Sequence, residues 1–145
     1  MQFQDFANLI RLLAGQGKTS FQQFQPHSDT YFATLVNTDP GRNHVVLVAG
    51  GSMGGNDEFA ICVALGIKLP KGQELNAEMG MDLLRRNAGL GIGSWCIKDY
   101  EGDTWVALRD VFTLKDVDPT WACARIQSLA NTADAFESEL GRDEY

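Results

Sequence analysis

The chain is poor in the residues that most active-site chemistry needs. Its 145 residues include two histidines and three cysteines, and no two of these stand at the short spacings of a zinc site. No metal ligand, catalytic residue or cofactor is therefore expected, and the chain is expected not to be an enzyme. Basic residues are scarce too: 12 Lys and Arg stand against 19 Asp and Glu, a net charge of −7. That balance argues against binding nucleic acid or an anionic membrane through a broad basic face. The nearest approach to a basic cluster, Leu84-Arg85-Arg86, is one helical turn. No apolar run approaches the ~20 residues that span a bilayer. The first residues carry Asp5 and lack the basic lead and apolar core of a secretory signal. Cys62, Cys96 and Cys123 are odd in number, far apart and each set in an apolar run. Buried, reduced thiols and a cytoplasmic location are the expectation.

What is present is a pattern that folds. An apolar fraction of 44% with mixed charge argues against disorder. A chain of this length makes one domain, residues 1–145, that buries roughly two-thirds of its unfolded surface. Phe3, Phe6, Ile10 and Leu13 have helical spacing, and Gly15 and Gly17 supply a stop. Residues 20–24 read as a short extended piece and 26–29 as a turn. Residues 31–36 are β-branched and aromatic enough for a strand. Asp39-Pro40-Gly41 is a reverse turn, and residues 44–49 are a buried strand. Residues 58–65 are apolar on both alternating faces, which predicts a central strand covered on both sides. Leu75, Met79, Leu83 and Leu84 mark a second helix that stops at Gly89.

The last third reads as hairpin and helix. Trp95, Ile97 and Tyr100 lead into Glu101-Gly102-Asp103, and Trp105 to Leu108 climbs back. Asp118-Pro119 opens a long helix with a stripe of Ala122, Ile126, Leu129, Ala133, Phe136 and Leu140. Parallel alternation would need a helix between most strands. The fold class expected is α+β, an antiparallel sheet with the order α-β-β-β-α-β-β-α.

Candidate chemistry is thin. The loop Gly50-Gly51-Ser52-Met53-Gly54-Gly55 follows a strand as a phosphate loop would, but Asn56 and Asp57 stand where Lys and Ser or Thr are needed. Gly89, Gly91 and Gly93 lack the dinucleotide spacing and are better explained by close backbone entry into the sheet. A Cys62–His44 nucleophile pair would need an electropositive surround. Asp99, Glu101 and Asp103 read as a solvated turn. Trp95 and Trp105 are placed near cross-strand register as a structural pair, and Trp121 as core. The tail from residue 116 carries seven acids against Arg125 and Arg142, an anionic outer face suited to solvent or a basic partner.

Three segments together resemble a known group: Asn87 to Trp95, the strand of Trp105-Val106-Ala107-Leu108 through Phe112-Thr113-Leu114, and Ala130-Asn131-Thr132-Ala133-Asp134-Ala135-Phe136-Glu137. The group is the class I type III secretion chaperones and the related YbjN family of bacterial sensory transduction regulators. The resemblance implies the chaperone-like fold, no catalysis, a homodimer and a protein partner or secreted client. Phe3, Phe6 and Ile10 are the expected partner contacts, and Met79 and Leu83 the expected dimer contacts. A YbjN-like regulator binding a folded partner is the first alternative. A small enzyme or ligand binder using Cys62 and the Gly50-to-Asp57 loop is the second.

Overall fold

A computed structural model describes residues 1–28, 30–39, 42–52 and 58–144. The order is α1 (Phe3–Gly15), β1 (Phe21–Ser28), β2 (Tyr31–Asp39), β3 (Arg42–Ser52), β4 (Glu58–Lys68), α2 (Ala77–Gly89), β5 (Ser94–Tyr100), β6 (Asp103–Thr113) and α3 (Pro119–Glu144). The fold is α+β, as expected, but with four strands before α2 instead of three. The extra strand is the short extended piece, lengthened through the predicted turn at 26–28. Its signal was weak for physical reasons. It is glutamine-rich, contains Pro26, and breaks register between Gln22 and Gln25, where Gln23 adopts a φ of 52°. A bulged, Pro-containing strand is a well-protected sheet edge, and β1 is an edge: the single sheet runs β1-β2-β3-β4-β6-β5, antiparallel throughout.

Local chemistry explains the elements. Asn76 caps α2, its Oδ1 accepting from Met79 N at 2.8 Å. Asp118 does the same for α3, accepting from Thr120 N at 3.0 Å, with Pro119 in the first turn. Glu101 and Gly102, at φ 51° and 81°, are the two left-handed centres of a tight hairpin turn. That turn sets Tyr100 opposite Asp103, so Trp95 pairs with Leu108 and Trp105 with Lys98. The two tryptophans are therefore not cross-strand neighbours; they lie on opposite faces.

All three helices pack on one face of the sheet. Phe6, Ile10, Val36, Val46, Val48, Cys62, Leu108, Ile126, Leu129, Ala133 and Phe136 build a continuous core there. The predicted stripe of α3 is buried from Ala122 through Phe136, and the side chain of Leu140 lies outside the described residues. At full burial each large apolar side chain stabilises by about 1.5–3 kcal/mol. Gly50 of β3 serves this packing. A Cβ on Gly50 would sit 2.6 Å from the Phe3 ring, so glycine lets α1 seat against the strand.

The opposite face is the unexpected part. β4 is central, as predicted, but only one of its faces lies under helices: Ala60, Cys62, Ala64 and, past the register shift after Leu65, Ile67. Its other face, Ile61, Val63 and Leu65, joins Ala33, Leu47 and Ala107 in a second apolar cluster made of strand residues alone.

Candidate functional site

The residues expected to meet a partner point inward. Phe3 is 5% exposed and Phe6 and Ile10 are 0% exposed. Phe6 sits edge-on to Phe112 with ring centroids 6.0 Å apart. Helical periodicity marks the apolar face of α1, and in this fold that face is core, so these three residues are not a ready surface. Of the expected dimer contacts, Leu83 is likewise buried and Met79 packs partly against the core, while Met81 and Leu84 on the same helix face outward.

Cys62 is buried, and burial together with the nearby Asp110 carboxylate pushes its thiol far up. A nucleophilic thiol needs the reverse shift. His44 is not its partner: the imidazole engages Leu65 O, Asp134 and Glu137. Burial also raises Cys96, and Cys123 is pushed up to about 11 by burial and Asp118. Residues 53–57 of the glycine loop lie outside the described residues. Gly93 takes a φ of 72° with its Cβ position 2.8 Å from Arg109 O, which is the close approach expected of it. Asn87 fixes the same junction, its side chain accepting from Trp95 N at 2.6 Å and donating to Trp95 O at 3.3 Å.

The helix-free face carries a second apolar cluster whose central residues are each 6% exposed or less. Ala33, Leu47, Val63, Leu65 and Ala107 form its floor, and Tyr31, Val45, Ile61, Cys96, Tyr100 and Trp105 pack around them. Val111 continues it on β6 and is 40% exposed. The face is concave. β2 and β5 are four strand spacings apart, roughly 19 Å in a flat sheet, yet the Tyr31 and Tyr100 hydroxyls are hydrogen-bonded. The sheet is curled toward its open side, and a cleft of about 200 Å³ lies there, lined by Gln23, Gln25, Leu35, Val45, Tyr100 and Glu101. Burial pushes the Tyr31 phenol up to about 12, with Tyr100 and Glu101 adding to the shift. Lys98 and Arg109 stand beside Cys96 and bring positive charge to the β5–β6 side of this face.

On the other face polar latches tie α3 to the sheet and to α2. Asp110, on the core side of β6, accepts from Arg125 Nε at 2.6 Å. Arg86 makes a two-pronged pair with Glu139 and lies 5.2 Å above the Phe136 ring. Trp121 is 46% exposed, edge-on to Phe112 at 5.4 Å, so it caps the core from outside instead of joining it. At the far end of β3, His44, Asp134 and Glu137 bring three ligating atoms within 4.8 Å of one another. Ninety residues separate His44 from Asp134, and no sequence spacing signals such a cluster.

Searches of protein-family profiles, curated proteins and solved structures find no match to this chain.

Proposed function

We propose that the chain is a non-enzymatic protein-binding module that holds an extended segment of a partner polypeptide against the helix-free face of its sheet. The observation that carries this is the second apolar cluster, built from five strands with no helix over it. Its five central residues are shielded only by the half-buried side chains of Tyr31, Val45, Ile61, Cys96, Tyr100 and Trp105, and an apolar sheet face covered by side chains instead of a helix is a place where an incoming segment docks by displacing them. Its concave shape favours a strand-like segment over a flat folded surface, and pockets for alternate side chains are how such segments are read. Lys98 and Arg109 add a preference for acidic residues at one end of the segment. The raised thiols speak for binding over cysteine chemistry. This is the type of activity that the resemblance to class I type III secretion chaperones and YbjN proteins implies, in the cytoplasm and as a homodimer. The outward Met81 and Leu84 of α2 are the surface through which two copies would meet, and sedimentation of the pure chain reports whether they do.

The test is affinity capture from native cell extract with two baits, the wild-type chain and an Ile61→Lys/Val111→Lys variant. Both substitutions are on the helix-free face and leave the helix-side core intact. One polypeptide held near stoichiometry by the wild type and lost by the variant supports the reading. Equal capture by both baits, or none by the wild type, rejects it.

A further inference from the structure

We propose that His44, Asp134 and Glu137 form a binding site for a divalent transition-metal ion, with zinc the best match to the donor set. The site is separate from the helix-free face and owes nothing to the protein-binding proposal. Its centre is His44 of β3, 5% exposed and lying under α3. Nδ1 lies 3.1 Å from Leu65 O, an acceptor, so this contact holds the Nδ1 proton. In the neutral imidazole the Nε2 lone pair is then aimed at the carboxylates of α3. A backbone carbonyl on one ring nitrogen and the other nitrogen turned to the ion is how metal-ligating histidines are oriented.

Asp134 and Glu137 are three residues apart, which puts both on one helix face. Asp134 Oδ1 is 2.8 Å and Glu137 Oε2 3.3 Å from His44 Nε2. Tetrahedral zinc bonds of about 2.0–2.2 Å space neighbouring ligand atoms by about 3.3–3.6 Å, so Glu137 already stands at ligand spacing from His44 and Asp134 has to draw back by about half an ångström. One nitrogen and two carboxylate oxygens suit zinc, cobalt or nickel better than calcium or magnesium, which prefer all-oxygen sites.

Charge points the same way. The carboxylates contribute two negative charges, and Arg42 supplies one positive charge, its Nη2 lying 2.9 Å from Asp134 Oδ1 and 3.8 Å from Glu137 Oε2. One negative charge is left over. A divalent cation neutralises the two carboxylates once the guanidinium, already 34% exposed, turns to solvent. Glu137 is 41% exposed, so the remaining coordination position opens to water. The ion would tie β3, and β4 through Leu65, to the middle of α3. The competing occupant is a proton: an imidazolium between Leu65 O and the two carboxylates would make the cluster an ion-pair latch.

The experiment uses the full chain freed of metal by chelator and dialysis, titrated with Zn²⁺ by calorimetry and followed by thermal unfolding. One equivalent is expected to bind, and a hundredfold excess over Kd to raise the melting temperature by on the order of 5–10 °C. Co²⁺ in its place should show d–d bands without a thiolate charge-transfer band, excluding the cysteines. His44→Gln and Asp134→Asn should each weaken binding at least ~10-fold, and His27→Gln should leave it unchanged. Arg42→Gln should tighten binding, because it removes a competing cation. If His44→Gln fails to fold, Asp134→Asn and Arg42→Gln carry the test with opposite expected signs. No stoichiometric binding up to about 1 mM, or binding indifferent to these substitutions, overturns the site and leaves the ion-pair latch.

Discussion

Removing Arg125 should cost more than removing Asp110, although the two are partners in one ion pair. The Asp110 side chain is 9% exposed and Arg125 is 30% exposed. Arg125→Ala strands a carboxylate on the core side of β6, opposite Cys62 of β4. Breaking a buried pair in this way costs about 3 kcal/mol at the lower end of the usual range. The lost contact with the Trp121 ring, 5.6 Å away, adds about 0.5 kcal/mol. Asp110→Ala leaves a guanidinium that already reaches water and can turn outward, so about 1–2 kcal/mol is expected. For a chain of this size these correspond to melting shifts of roughly 10 °C and 5 °C. The double variant should cost less than the sum of the two singles, since both remove the same interaction. Urea unfolding at neutral pH measures all three. Equal costs for the two singles, or a larger cost for Asp110→Ala, would refute the burial argument.

Two further outcomes follow from the titrating groups. Tyr31 keeps its proton longer in the folded chain, at about 12 against an ordinary 10. Its contribution is therefore complete below pH 10 and lost as pH rises toward 12. Because the phenol is only partly buried and solvent screens its charge, the loss should be only about 1 kcal/mol, and Tyr31→Phe should flatten that limb of the urea-midpoint profile. A profile unchanged by the substitution would contradict the shift. The thiols should be inert to a charged disulfide reagent in the native state. Cys62 should react only as fast as the chain unfolds, and Cys96 and Cys123 slowly. A thiol that reacts at once at pH 7 would return weight to a cysteine-dependent activity.

The elements that sequence periodicity revealed are those with strong local chemistry. α3 has a six-position stripe and a Pro after an Asp cap, and the β5–β6 turn has Glu-Gly. β1 was understated because glutamines, a bulge and Pro26 carry no alternation. The misplaced Trp95–Trp105 pair shows how register defeats spacing: a two-residue turn at Glu101-Gly102 moves the pairing three residues from the one assumed, onto opposite faces. The candidate sites were harder for a different reason. The apolar face of α1 has the same spacing whether it meets the chain's own sheet or a client. Likewise β4 is apolar on both sides whether one face or both are covered by helices. Only the placement of all three helices on the same side separates these cases. The cluster of His44 with Asp134 and Glu137 depends on β3 and α3 meeting, and no local pattern contains that.

The central claim is that the helix-free sheet face is where the partner docks, and hydroxyl-radical footprinting of the captured complex against the free chain tests it most directly. The account predicts protection at Tyr31, Tyr100, Trp105 and Val111 on that face, with Trp121 on the helix side oxidised equally in both. Protection at Trp121, Met81 or Leu84 with the helix-free face unchanged would contradict it.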